Sequence, residues 1–374
     1  MWLAELRLRD FRNYAATDLA FEAGITVLVG ANAQGKSNLL ESVYTAALGR
    51  SPRASADVEL VRFGQDRAYV RAEVRDPRAD VLEIAVDRTT GEKRMKVNGV
   101  VVQRGQLLGR MAIVLAGPLD GDVIRGAAGA RRRLLDAALS QASPSYFFAL
   151  TRYLRVVRQR NRLLGEGAGG AALEPWDEQL VALGATLVER RRGFVRALAA
   201  RAAKRHARVS DGSEGLDVTY SSTADDPGGP APVSAGPGDG REAAALARAL
   251  ARHRAEEYRR RTSLVGPHRD DLRIGVNGVD LRAFGSRGQQ HTAALSLRLG
   301  EAEILRDELG TWPVLLLDDV LADLDPARQI MLLREIEGPQ VLLTHTVPPP
   351  AAGVALRMFM VRGGAIEAGT DVHA

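Results

Sequence analysis

Gly30-Ala31-Asn32-Ala33-Gln34-Gly35-Lys36-Ser37 sets two glycines five residues apart, then a lysine and a hydroxyl. This is the pattern of a phosphate-binding loop. Backbone N–H groups wrap the phosphates, Lys36 reaches the β and γ oxygens, and Ser37 ligates Mg²⁺. Asn38, in the first turn of the helix expected from Lys36, is counted with the nucleotide-binding set. The motif needs a strand before it and a helix after it. The apolar run "GITVLVG" and the helical pattern that follows supply both, so the stretch is read as binding a nucleoside triphosphate.

Pro313 to Val320, "PVLLLDDV", is an apolar strand ending in two carboxylates. Such an end places one carboxylate in the Mg²⁺ shell and the other beside the attacking water. Asp318 is assigned to the metal and Asp319 to the water, as general base or polariser; a solvated turn after a buried strand is the alternative. About 25 residues upstream, "FGSRGQQ" (Phe284 to Gln290) opens a long amphipathic helix. A serine and a glycine there offer a second anion site through a hydroxyl and unpaired N–H groups, although serine is also an ordinary N-cap.

The surrounding elements must bring these groups together. "AELRLRDF" alternates as a strand, and "RAYVRAEVRD", "DVLEIAVDR" and "RMKVNGVVV" form further strands, with Asn98-Gly99 as a tight hairpin turn. Met111 to Leu115 is another strand. From about Arg131 to Arg208 the pattern is helical, broken at "GEGAGGAALEP" and restarting near Trp176. "LDVTYS" is a short strand, residues 222–240 form a Gly/Pro/Ser-rich flexible loop, and a helix from Arg241 to about Arg261 leads to a hairpin at Asn277-Gly278. The end alternates helix and strand. The expected fold is α/β: an ATPase-type head made of a mixed sheet, a phosphate-loop core and an antiparallel subdomain, with an inserted helical arm. The head spans 1–120 and 262–374, and the arm 121–261.

The chain has 374 residues, 51 basic and 46 acidic, for a net charge of +5. That balance mildly favours an anionic partner. Only four of the basic residues are lysines, and such an arginine bias can equally reflect genome composition. The lack of cysteine excludes a disulfide framework, a thiolate metal site and a cysteine nucleophile. No apolar run approaches the roughly 20 residues of a membrane span, and the N-terminal alternation is unlike a signal peptide, so a cytoplasmic, soluble protein is expected.

The order of motifs, namely phosphate loop, Ser-x-Gly-Gln helix start, strand ending in two acids, "LADLD" and "LLTHT", resembles that of ATP-binding-cassette ATPases. This resemblance implies ATP as the nucleotide. It also implies that Ser286, Gly288 and Gln289 clamp ATP held by a partner subunit, that Asp323 to Asp325 form the D-loop, and that His345 is the switch histidine near the γ-phosphate. "LRLRDFRNY" is similar to the start of SMC and Rad50-type DNA-repair ATPases, where the arginine, here Arg12, lies near the nucleotide. About 250 residues separate phosphate loop and signature, too few for a long coiled coil and more than a transporter subunit has.

The combination of "FRNY", "GANAQGKSNLLE", "RRRLLDAALSQASPSYFFALTRYLRVVRQRNRLL", "LVGPHRDDL" and "GSRGQQ" is closest to the bacterial RecF family, from residue 6 to about 346. Two positions depart from it: Leu119 stands where a glutamate is usual, and His291 where an arginine is. The resemblance implies a weak, switch-like, DNA-dependent ATPase that dimerises on ATP. Its target would be gapped or single-strand/double-strand junction DNA without sequence preference, and its partner RecR, which with RecO loads the recombinase. An SMC-like DNA-end ATPase and a transporter ATPase subunit are the alternatives. In the helix Ser145 to Leu164, Arg152, Arg155, Arg158 and Arg162 fall within about 120° on one face, opposite Tyr153, Val156, Val157, Leu163 and Leu164. That stripe is the candidate DNA contact, and a solvated helix face is its plainer reading. "GPHRDDL" (Gly266 to Leu272) receives no chemical step.

Overall fold

The computed structural model describes residues 1–75, 79–210, 212–225, 240–322, 324–350 and 352–373. The chain divides into two compact units: residues 1–121, 204–213 and 291–374 form the first, and residues 122–203 and 214–290 the second.

In the first unit, β1 (Trp2–Phe11) and β2 (Tyr14–Ala20) precede β3 (Ile25–Val29) and helix α1 (Lys36–Leu48). Then come β4 (Arg67–Arg75), β5 (Asp80–Asp87), β6 (Lys93–Val97) and β7 (Val100–Val101), the short helix α2 (Arg104–Leu107) and β8 (Ile113–Ala116). Alternating burial along β4 and β5 marks a sheet with one face in the core. These strands form an antiparallel sheet in the order β2-β1-β4-β5-β6-β7. Asn98 and Gly99, with φ of 50° and 79°, make the β6–β7 turn.

The second unit begins within α3 (Asp120–Ile124) and contains α4 (Ala128–Ala142) and α5 (Pro144–Gly165). α6 (Gly170–Val209) starts in this unit and continues into the first. It begins before the expected restart near Trp176: Pro175 sits inside its second turn, where one backbone N–H is forgone without ending the helix. β9 (Leu216–Ser221), α7 (Arg241–Arg260), β10 (Asp271–Val276), β11 (Val279–Asp280) and α8 (Leu281–Phe284) complete the unit. Because β10 pairs with β9 along its whole length, the hairpin after residue 262 belongs with the helices and not with the head. Residues 226–239 of the expected flexible loop lie outside the described residues.

α9 (Arg287–Leu309) leads back to β12 (Val314–Asp318), α10 (Pro326–Glu335), β13 (Val341–His345), β14 (Ala355–Arg362) and β15 (Ala365–His373). The resulting sheet has the order β15-β14-β3-β13-β12-β8, parallel except for the edge strand β15. β3 and β13 are buried at every residue, as strands covered on both faces must be. The phosphate loop follows β3, His345 ends β13 and Asp318 ends β12. Three neighbouring parallel strands therefore deliver their C-terminal ends to one place, where α/β sheets bind ligands. No helix among the described residues is long and apolar enough to cross a membrane.

Candidate nucleotide site

A cleft at these strand ends is lined by Asn32, Ala33, Gly35, Lys36, Ser37, Asn38, Arg53, Asp318, Asp319 and Thr344. Gly35 caps α1 at φ 118°, a conformation closed to residues with a Cβ, and a Cβ there would also meet Asn13 Nδ2 at 2.6 Å. The loop is held from below. Asn13 Nδ2 donates to the Gln34 carbonyl at 3.0 Å, Tyr14 Oη to the Gly35 carbonyl at 3.0 Å, and Asn38 Nδ2 to Asn13 Oδ1 at 2.8 Å. Gly30 sits so close to Val361 that a Cβ would lie 2.4 Å from its carbonyl oxygen. Lys36 Nζ donates to the carbonyls of Gly30 and Ala31 at 2.6 and 2.9 Å. Burial pushes its pKa below the ordinary value, against the pull of Asp319 and Asp318.

Ser37 Oγ donates to Asp318 Oδ1 at 2.8 Å, and Thr344 Oγ1 donates to the same oxygen at 2.8 Å. The Asp319 N–H donates to Thr344 Oγ1 at 2.9 Å, which fixes Asp319 at φ 56°. His345 Nδ1 lies 3.5 Å from Asp319 Oδ1, and neither buried atom has a hydrogen-bond partner among the described residues. The site thus holds a hydroxyl and a carboxylate already joined, beside a carboxylate and an imidazole poised near each other.

Arg12, expected at the nucleotide, is not among the residues lining the cleft. Its Nε and Nη2 donate to Glu41 at 2.9 and 2.8 Å, and Nη1 to the Glu59 carbonyl at 2.8 Å. Arg53 stands at the cleft instead, and its Nη2 also reaches Glu41, at 2.6 Å. Burial raises the Glu41 pKa, but Arg12, Ser51 and Arg53 outweigh it, leaving the carboxyl below its ordinary range. Thr344 lies within "LLTHT", where only His345 is given a role, since a threonine in a strand is a common β-former, and Arg53, one loop arginine among many, is anonymous in the sequence.

Ser286, Gly288 and Gln289 belong to the second unit. Gln289 N–H donates to Ser286 Oγ at 3.2 Å and Ser286 N–H to Gln289 Oε1 at 3.0 Å, a reciprocal capping box. Ser286 and Gly288 are exposed, and nothing lies within 4 Å of where a Gly288 Cβ would stand. Of the expected D-loop, Asp323 lies outside the described residues, whereas Asp325 caps α10 by accepting from Arg328 N–H at 3.0 Å. His291, in the first unit, reaches the Val320 carbonyl at 3.2 Å.

Arg152, Arg155, Arg158 and Arg162 are all exposed on α5, with Tyr153, Val156, Val157 and Leu164 buried opposite. Arg162 pairs with Glu166 at 3.0 Å, four residues on. Arg160, on the apolar side of the same helix, is fully buried and binds Asp177, Ser263 and Glu257 at 2.6, 2.8 and 2.6 Å. "GPHRDDL" is part of the same interior network. Buried Asp270 accepts from Tyr220 Oη and from Thr223, Asp271 accepts from Arg131 Nε and Nη2, and His268 Nδ1 meets Tyr153 Oη at 2.7 Å. The segment pins helices to β10.

Fold and site together define an ATP-binding head of the cassette and SMC type. The RecF/RecN/SMC N terminal domain family model matches residues 2–344. The DNA replication and repair protein RecF of Symbiobacterium thermophilum is 41% identical over 350 residues, covering 92% of each chain, and that of Alkaliphilus oremlandii is 35% identical over 354 residues, covering 93% of this chain and 94% of its own. A solved RecF–ATP structure of the RecFOR pathway superposes with a TM-score of 0.89 at 34% identity, over 99% of this chain and 98% of that one. The Pyrococcus furiosus Smc head, at 18% identity and a TM-score of 0.56, shares the fold. The chain belongs to the RecF family of DNA replication and repair proteins, which are ATP-binding ATPases.

Proposed function

We propose that two copies of this chain close on ATP, clamp gapped or junction DNA while the nucleotide is intact, and let go after hydrolysis. The observation that carries this reading is the hydrogen-bonded joining of the phosphate loop to the acidic strand end through Ser37, Asp318 and Thr344. Two hard oxygen donors 2.8 Å apart suit Mg²⁺, which prefers few protein ligands completed by phosphate and water. Ser37 and Asp318 would hold the ion; when bound, it neutralises charge on the phosphates.

The loop N–H groups from Gly30 to Ser37 orient the phosphates, with Asn38 beside them, and Lys36 and Arg53 supply positive charge. Asp319 takes the proton of the attacking water or polarises it, and His345 senses the γ-phosphate from beside Asp319. Ser286 accepts from its own helix, which leaves its hydroxyl hydrogen available to a nucleotide on the other copy, alongside Gly288 and Gln289. Differential contact with the γ-phosphate then sets the balance between open and closed states, so turnover is slow and acts as a timer.

Arg152, Arg155, Arg158 and Arg162 are the proposed phosphate contacts, and binding is without sequence preference. The place of the solved relative in the RecFOR pathway supports RecR, acting with RecO, as partner. The test is a gel shift of gapped duplex with and without ATP. Tight binding only with ATP is expected, and equal binding in both lanes contradicts the clamp.

A further inference from the structure

Phe63 is 94% exposed, the most exposed large apolar side chain among the described residues. No other exposed large apolar side chain occurs among the described residues before Val100 in the chain. An exposed ring of this kind forgoes the free energy that burial would supply, so the way the chain presents it is informative.

The ring sits at the tip of a turn. Arg62, Phe63, Gly64 and Gln65 form a tight turn in which Gln65 N–H donates to the Arg62 carbonyl at 3.0 Å and Gly64 takes φ 80°. The turn is anchored at its base. Arg62 N–H donates to the Asp10 carbonyl at 2.8 Å, Arg88 Nη2 to the Val61 carbonyl at 2.7 Å, and Phe11 bridges Val61. The carbonyls of Val61 and Arg62, at the base of the turn, are thus already engaged.

Three guanidinium groups flank it. Arg62 pairs with Asp10 at 3.3 Å, Arg67 with Asp87 at 2.8 Å while its side chain stays 79% exposed, and Arg88 is exposed. A flat exposed ring beside guanidinium groups, two of them ion-paired and Arg67 still largely exposed, is what an unpaired nucleobase uses, stacking on the ring while its phosphates meet the guanidinium groups. We infer that Phe63 is a stacking platform for one unpaired base of a DNA strand, the element that distinguishes a gap or junction from continuous duplex. The inference rests on the DNA-binding reading above and adds to it the residue that reads single-strandedness.

The test uses the full chain with a non-hydrolysable ATP analogue and duplex DNA carrying a single-stranded tail, with 2-aminopurine as the first unpaired base. Wild type should quench the probe. Phe63→Ala should abolish quenching and weaken tailed DNA by roughly fivefold or more while leaving blunt duplex unchanged, and Phe63→Trp should restore both. Equal losses on tailed and blunt DNA, or no loss on either, overturn the platform. A fall in ATP-dependent dimerisation of Phe63→Ala would overturn it in favour of a protein contact. Failure of wild type to bind any DNA would overturn the underlying DNA reading and this inference with it.

Discussion

Ser37 and Asp318 lie 281 residues apart in the chain and share one hydrogen bond of 2.8 Å. The contact exists because β3 and β12 flank β13 in a parallel sheet, so that the loop leaving β3 and the last residue of β12 face a common space. Thr344, ending the strand between them, binds the same Asp318 oxygen and also receives the Asp319 N–H. Nucleotide affinity should therefore depend on residues from both ends of the sequence.

Lys36 is the positive charge inside the loop. Lys36→Ala should abolish measurable ATP binding, and Lys36→Arg should bind yet turn over poorly because its fork misplaces the charge. Fluorescent-nucleotide titration checks both. Undiminished turnover in Lys36→Ala would rule out the site.

Much of this was legible because the loop is local: spacing alone reveals Gly30 to Ser37, and five apolar residues before Asp318 reveal its strand. What escaped was non-local. Arg53 is separated from the loop by a whole helix, Thr344 is indistinguishable from a β-former, and the grip of Asn13 and Tyr14 on the loop carbonyls depends on tertiary placement. Arg12 was expected at the nucleotide, but Glu41 claims its guanidinium. Periodicity divided α5 into exposed arginines and buried apolar residues and sets Arg160 on the buried side, between Tyr153 and Val156, yet it could not show what pairs with it, because burial of a guanidinium requires partners supplied by distant segments.

Ser286 is exposed at the start of α9 within its capping box. Ser286→Arg puts bulk and charge where the proposed dimer would bring the γ-phosphate held by the other copy. The variant should bind ATP but neither dimerise nor hydrolyse it, as sedimentation with a non-hydrolysable analogue would report. Dimerisation equal to wild type would reduce Ser286 to a helix cap.

Changing Arg152, Arg155 and Arg158 together to Gln removes three proposed phosphate contacts. The salt dependence of binding to gapped duplex should flatten by nearly three units of slope, about 0.9 per contact. Dimerisation and indifference to sequence should persist. An unchanged slope returns this face to plain solvation.

His268 makes stability depend on pH. Burial pushes its pKa down from 6.5 to about 4, so the folded chain keeps it neutral where the unfolded chain binds a proton. Stability is full above pH 6.5 and falls as pH drops toward 4, by about 3 kcal/mol in all. Urea unfolding at pH 7 and pH 5 should show wild type losing about 2 kcal/mol more than His268→Gln over that interval. Parallel pH profiles would contradict the assignment.

The claim that ATP times residence on DNA is tested most directly by the lifetime of the complex with gapped DNA in Asp319→Asn. The substitution removes the carboxylate proposed to activate water and leaves Asp318 with Ser37 and Thr344. With ATP present, wild type should dissociate as it hydrolyses the nucleotide, whereas Asp319→Asn should bind ATP, stay dimeric and remain on DNA with little phosphate release. Equal lifetimes for the two proteins would contradict the account, and loss of ATP binding in the variant would mean that the roles of the two aspartates are reversed.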